Sequence, residues 1–207
     1  MYLCNWSDRN TKDFISDFKC IQNEDIENFL KSTSIRFEEA DKSRTYLIIP
    51  RDDELKIKND KLMILGYFTL GMKHIIIGEG VSKTQIKKLD GFKKDATSLN
   101  CYLIGQLAKN DLYKDNIKGY EVLEYALNTL KECYSLIGGR VVLVECEDKP
   151  KLIKFYKDNH FIQLQKDMST NYVQMVLTLH SSVKEQIEKS VLFKNIEGAK
   201  EKVPQIT

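Results

Sequence analysis

Between the apolar run CYLIGQLAK (Cys101–Lys109) and a long amphipathic stripe lies the segment NDLYKDNIKG, which carries Lys114, Asn116 and Lys118 and ends in Gly119 where the stripe begins. Ammonium groups, side-chain amides and unpaired backbone N–H groups at a helix start are the groups that hold a phosphate, and the helix dipole favours its negative charge. The chemistry this spacing implies is binding of a phosphate ester; the plainer reading is a polar connection that binds nothing. Further on stand a phenol, Tyr156 in KLIKFYKDNHF, and a carboxylate, Glu145 in RVVLVEC. On their own residues these are an ordinary tyrosine of an amphipathic helix and a solvated carboxylate at a strand end. A structural role is the better expectation for His74, His160 and His180. Cys4, Cys20, Cys101, Cys133 and Cys146 are odd in number and widely spaced, with no Cys-x-x-Cys pair, so they read as reduced thiols and no metal is expected.

These groups need elements to position them. Asn23 before Glu24 and Asp25 predicts a helix start, and Ile26, Phe29, Leu30 and Phe37 continue at helical spacing. TYLIIP (Thr45–Pro50) and LMILGYFTL (Leu62–Leu70) read as strands joined by a polar hairpin loop, DDELKIKND. Lys73–Ile77 and Val81–Leu89 are compatible with either helix or strand, and Asp90–Asn100 reads as a loop. Cys101–Lys109 is strand-like. Val122, Leu123, Ala126, Leu127, Leu130 and Tyr134 then form the stripe of an amphipathic helix that Gly138 and Gly139 end. RVVLVEC (Arg140–Cys146) is a continuous apolar strand of the kind buried on both faces. Leu152, Ile153 and Tyr156 share one face of a short helix with Pro150 in its first turn, and strands Phe161–Gln165 and Tyr172–Leu179 come next. From Ser181 onward, Val183, Ile187, Val191 and Ile196 predict one more amphipathic helix, either packed on the domain or facing a partner.

This order makes a mixed α/β fold. With 207 residues, one domain over residues 1–180 and a C-terminal helix and polar tail over 181–207 is the expected division. Hydrophobic residues at 42% and charged residues at 30% suit a globular protein. A net charge of +2 gives no overall excess for nucleic-acid binding, although a local basic patch stays open. No apolar run is long enough to span a bilayer, and Met1–Asn10 lacks the pattern of a signal peptide, so a cytoplasmic location is expected.

The loop and the chain downstream of it resemble the GNAT superfamily of N-acetyltransferases. In that family a basic residue or Gln, two free positions, Gly, one free position and Gly or Ala bind pyrophosphate; Lys114 and Gly119 take the first and last of these places, with Ile117 where the middle glycine stands. The family's second signature, Phe-Tyr, three positions, then Gly-Phe, matches Phe155, Tyr156 and Phe161, with His160 in place of Gly. Phe18, Cys20, Phe29, Leu30, Arg44 and Thr45 occupy places that resemble the bacterial toxin-like branch, whose members acetylate the amino group of aminoacyl-tRNA. The resemblance runs from about Phe18 to Leu177. Gln106 stands where that branch often has Arg.

The resemblance implies a GNAT fold: a mostly antiparallel central sheet flanked by helices, with splayed central strands. It implies acetyl-CoA as cosubstrate, its pyrophosphate held by Lys114, Asp115, Asn116, Ile117, Lys118, Gly119 and Tyr120. Its pantetheine arm would pair with Leu107, Ala108 and Lys109 in a slot between Cys101–Lys109 and Arg140–Cys146. Tyr156 would be the general acid toward the departing thiolate, and Glu145 is the nearest acidic group to act as base. The acceptor is a primary amine: that of an aminoacyl-tRNA, a small molecule or a protein. A homodimer or an antitoxin is the implied partner, and no membrane is. The other reading is a coenzyme A-binding sensor or partner module, to which Ile117 and His160 point.

Overall fold

The structure, a computed structural model, describes the backbone of residues 9–50, 57–58 and 61–179, and the side chains of 12–50 and 63–179. The helix expected after Ser181, and His180, lie outside the described residues.

The chain opens with α1 (Arg9–Ser16) and then a helical stretch made of α2 (Glu24–Asn28), a π-helical turn (Phe29–Thr33) and α3 (Ser34–Glu39). Asn23 caps α2 as expected, its side chain accepting from the Asp25 and Ile26 amides. Next come β1 (Ser43–Ile48), the small hairpin β2 (Ile57–Lys58) and β3 (Lys61–Leu62), β4 (Gly66–Ile76), α4 (Lys83–Asp90) and β5 (Ser98–Lys109). A 3-10 turn (Asp111–Tyr113), α5 (Gly119–Ile137), β6 (Val141–Cys146), α6 (Pro150–Asp158), β7 (Ile162–Lys166) and β8 (Val173–Thr178) complete the order.

The two ambiguous segments resolve here. Lys73–Ile76 prolongs β4, and Val81–Leu89 is mostly α4, started by the Ser82 hydroxyl that accepts the Gln85 amide at 3.2 Å. Of the expected loop Asp90–Asn100, the last three residues belong to β5, which pairs with β4 as far back as Ser98. The apolar stretch expected as a strand from Leu62 is divided: Leu62 closes the hairpin and β4 starts at Gly66.

One six-stranded sheet runs in the order β1-β4-β5-β6-β8-β7, every neighbouring pair antiparallel except β5 and β6. That pair is parallel because its connection is a helix, α5, as parallel neighbours require. On one face Val122, Leu123, Ala126 and Leu130 of α5 and Tyr156 of α6 pack on Phe68, Ile104, Val142, Val144 and Met175. On the other, α4 covers Ile75, Leu99, Cys101, Val141 and Leu143, and α1 to α3 cover Leu47, Tyr67 and Ala108. With helices on both sides, Val141 to Val144 are all buried, at about 1.5–3 kcal/mol for each side chain removed from water. Gly66 lets α5 settle, since a Cβ there would meet the Ala108 carbonyl at 2.8 Å and Val122 at 3.2 Å. Gly138, at φ 74°, caps α5 by donating its amide to Tyr134.

His160, in the family's glycine position, sits at φ 67°. Its amide and that of Phe161 return to the Lys157 and Tyr156 carbonyls and close α6, so the turn demands a left-handed residue. An exposed imidazole loses little on removal, whereas a left-handed non-glycine costs roughly 1–2 kcal/mol. Glycine's greater freedom in the unfolded chain offsets part of this. His160→Gly should therefore stabilise the fold by about 0.5–1 kcal/mol, seen as a higher urea midpoint at unchanged m-value; a lower midpoint would show that the ring makes contacts that outweigh the strain.

Candidate active site

Backbone pairing between β5 and β6 stops short. Only Tyr102, Leu103 and Ile104 pair, with Val142, Leu143 and Val144, although β5 continues to Lys109 and β6 to Cys146. The cause lies on the other edge of β5. There Leu70 pairs with Ile104 but Thr69 pairs with Gln106, so Gly105 is an extra residue, a β-bulge. A bulge bends its strand and increases its twist, and this one bends β5 at the residue where β6 is lost. A Cβ at Gly105 would come within 3.1 Å of the Thr69 hydroxyl, and that hydroxyl accepts the Gln106 N–H at 2.9 Å.

Beyond the bulge the open edge can be read residue by residue. The Gln106 and Asn110 amides both donate toward β4, to Thr69 Oγ1 and to the Leu65 carbonyl. In a strand the N–H and C=O of alternate residues face opposite edges. Leu107 and Lys109 therefore turn their N–H and C=O into the gap between the parted strands, while Ala108 turns its own toward Tyr67 on β4. Of the three residues expected to hold a pantetheine arm, two present hydrogen-bonding groups to the slot and Ala108 does not.

The loop expected to hold a phosphate leaves β5 at the mouth of this slot. Asn110 anchors it: only 2% exposed, it accepts the Lys19 and Leu112 amides, each at 3.1 Å, and donates to the Ile64 carbonyl at 2.9 Å. The Lys109 ammonium donates to the Lys114 carbonyl, and the Asn116 amide to that of Tyr113. Ile117, where the family has glycine, is buried in the main core and has no positive φ. The loop is thus pinned by an apolar side chain, without the backbone freedom glycine would supply. Lys114, Asp115, Asn116, Lys118 and Tyr120 are exposed around it.

Gly119 is the first residue of α5, where helix geometry leaves the amides of Gly119 and Tyr120 without acceptors inside the helix. The Lys118 amide is taken up by the Glu121 carboxylate at 2.6 Å. A Cβ at Gly119 would meet only the Phe155 ring, at an ordinary 3.5 Å. The fold itself does not require glycine there.

Phe155 belongs to α6 and joins this helix start to Tyr156. The Tyr156 ring packs edge-on to Phe155 and Phe161, with centroids 5.1 and 5.6 Å away. The residue is 7% exposed, and burial first, the Cys146 thiol second, push its phenol above the ordinary range. Its hydroxyl has no hydrogen-bond partner among the described residues, yet it is not sealed from solvent.

Glu145 stands elsewhere. Val144 and Cys146 face α5 and α6, so strand alternation sends Glu145 to the opposite side of the sheet from Tyr156. Its two oxygens are engaged, Oε2 by the Lys73 ammonium at 2.5 Å and Oε1 by the buried Gln174 amide at 2.9 Å. Gln174 in turn accepts from Gln165 at 2.9 Å. Glu145 lies one residue past the last β5–β6 pair, but it would have to release a donor before taking a proton. The residues that the sequence did not single out are Gly105, Thr69 and Asn110. A lone glycine inside the strand pattern was the one available signal of the bulge.

A splayed pair of parallel strands, a helix start at its mouth and helices on both faces of a mostly antiparallel sheet define the GNAT fold, and this chain has it. Among solved structures it is similar to the toxin AtaT complexed with acetyl-methionyl-tRNAfMet, at 20% identity and TM-score 0.64 over 84% of this chain and 91% of that one. It is also similar to AtaTR bound with AcCoA, at 20% identity, TM-score 0.62, 87% and 92% coverage. A tyrosine-to-phenylalanine mutant of KacT matches at 23% identity, TM-score 0.61, 81% and 88% coverage. No protein-family model and no curated protein matches the sequence.

Removing the Asn110 side chain strips two amides and a carbonyl of their partner in a buried place. Asn110→Ala should cost about 2–4 kcal/mol, with faster amide hydrogen exchange confined first to residues 110–119. Urea unfolding with exchange mass spectrometry checks both, and unchanged exchange in the loop would show that Asn110 does not hold it.

Proposed function

We propose that this chain is an acetyl-CoA-dependent N-acetyltransferase in which the amine attacks the thioester directly. The observation that carries the reading is the parting of β5 from β6, which leaves the Leu107 and Lys109 backbone groups facing a gap that no strand among the described residues fills. An extended pantetheine arm with its own amides is a fitting occupant, bound as an added strand. The free amides of Gly119 and Tyr120, with Lys114 and Lys118 beside them, suit the pyrophosphate. Gly119 supports this, since its missing Cβ serves no contact within the protein and clears room for a ligand. The GNAT-fold neighbours include AtaTR bound with AcCoA.

In this mechanism a neutral amine adds to the thioester carbonyl, and a backbone amide on the open edge of β5 stabilises the oxygen as it gains charge. The C–S bond then breaks, and the Tyr156 hydroxyl gives its proton to the thiolate. A phenol kept protonated by burial, with no acceptor among the described residues, is suited to that step. Glu145, on the far face of the slot, would receive the proton released by the amine through water once a donor is exchanged. The acceptor class favoured is the amino group of an aminoacyl-tRNA, supported by the AtaT complex with acetyl-methionyl-tRNAfMet. An antitoxin is the matching partner class, since AtaT also occurs bound to the C-terminus of the antitoxin AtaR. The departures that favoured a non-catalytic sensor are both accommodated: Ile117 anchors the loop, and His160 takes the left-handed turn.

Acetyl-CoA should bind with a micromolar Kd, and Gly119→Asp should weaken it at least tenfold, about 1.4 kcal/mol. Aspartate at a first helical position favours the helix, so the melting temperature without ligand should not fall. Calorimetry on both proteins decides, and equal affinities would remove the pyrophosphate from this loop.

Tyr156→Phe keeps the ring packing and removes the proton. Turnover, measured by thiol release with aminoacyl-tRNA as acceptor, should fall by roughly 10²-fold or more with acetyl-CoA affinity nearly unchanged. The parent's rate should decline at alkaline pH, above the ordinary phenol value of about 10, and the variant should lack that decline. An unaltered rate and profile would return Tyr156 to a packing role.

A further inference from the structure

At the other end of β5, roughly 30 Å from the slot by the rise of extended strand between Ser98 and Leu107, lies a second cavity. It has a volume of about 460 Å³, within the usual range of roughly 300–1,000 Å³ for small-molecule sites. Leu89, Asp90, Ser98, Asn100 and Arg140 are among the residues that line it.

The chain makes room for Arg140. Gly91, at φ 95°, caps α4, and any side chain on it would collide with the Arg140 guanidinium. Gly139, at φ 85°, lies so near Tyr102 that a Cβ would stand 2.9 Å from its ring. Yet the guanidinium so accommodated has no hydrogen-bond or ion-pair partner among the described residues, and its Nε is sealed from solvent. Charged donors in such places are normally paired.

The opposite charge is present but does not pair with it. The Asp90 carboxylate accepts the Phe92 and Lys93 amides at 3.0 and 2.6 Å, and those bonds, the Lys93 one foremost, hold it below the ordinary carboxylate range, with smaller contributions from the Lys93 and Arg140 charges. No ion pair joins Asp90 to Arg140, although both line the same cavity. The cavity borders the C-terminal end of α4 at Asp90 and that of α5 through Tyr134 and Gly139, and helix-end carbonyls carry negative partial charge. One wall thus attracts a cation and the other an anion. A simple anion would satisfy Arg140 but be repelled by Asp90 and the helix ends, and a simple cation would meet the reverse.

We propose that this cavity binds a small zwitterion of the free amino-acid class, its carboxylate on Arg140 and its ammonium at Asp90. Arginine offers a carboxylate two parallel donors; Ser98 and Asn100, the latter's side-chain oxygen held by His74 at 2.8 Å, line the same cavity. The site lies apart from the slot, so its occupancy is read by binding alone.

The full chain is titrated by calorimetry and thermal shift with the twenty free L-amino acids, with acetate and ethylammonium as single-charge controls. At least one amino acid should bind with a Kd of about 1 mM or tighter, at least tenfold tighter than either control. Arg140→Gln and Asp90→Asn should each weaken it tenfold or more and leave acetyl-CoA titrations unchanged. If Arg140→Gln does not fold, Arg140→Lys keeps the charge, loses the paired donors and should show the same loss. No response to any amino acid at about 10 mM, acetate binding as tightly as the best amino acid, or variants that bind like the parent would overturn the assignment.

Discussion

The structure depends on a stretch of β5 backbone inside the sheet that no neighbouring strand among the described residues pairs. A buried or half-buried strand edge without a partner leaves N–H and C=O groups unsatisfied, and a protein normally covers such an edge or closes it. Here the edge is created inside the sheet, by an extra residue at Gly105 that turns β5 away from β6 after Ile104 and Val144. The bulge is kept by Thr69, whose hydroxyl satisfies the amide that the shifted ladder strands, and by the absence of a side chain on Gly105. An opening held this firmly suits an occupant that is extended and polar.

The surrounding elements are arranged with respect to that opening. α5 must cross from β5 to β6 because the two are parallel, which places its N-terminus at the mouth of the slot and its apolar stripe over Phe68 and Ile104. Gly66 allows the close seat this needs. α6 reaches the start of α5 through Phe155, whose ring lies over Gly119, and Tyr156 packs edge-on to that ring. Asn110 ties the loop to the N-terminal segment and to the start of β4, so three stretches distant in sequence hold the mouth in one shape. On the far face, Lys73, Glu145, Gln174 and Gln165 form a chain of polar contacts across β4, β6, β8 and β7.

Much of this was legible beforehand where local chemistry decides. The Asn23 cap, the stripe of α5, the glycines that end it and the doubly buried run of β6 follow from propensity and periodicity. Lys73–Ile77 could not be classified because so short a run, ending in three isoleucines, suits helix or strand until a partner is known; pairing with Ser98–Cys101 made Lys73–Ile76 strand. Val81–Leu89 was ambiguous for the same reason, and burial of Ile86 and Leu89 on the sheet settled it.

The sequence by itself determined most of the elements, the loop register ending at Gly119 and the helical placement of Tyr156, because each rests on neighbours a few residues apart. Tertiary structure alone decided that Leu107 and Lys109 face the slot while Ala108 does not, that Glu145 is bound to Lys73, and that Tyr156 and Glu145 lie on opposite faces. The period of a strand tells which side chains share a face. It does not tell which edge loses its neighbour or what charge waits across the sheet, and those depend on residues brought together from far along the chain.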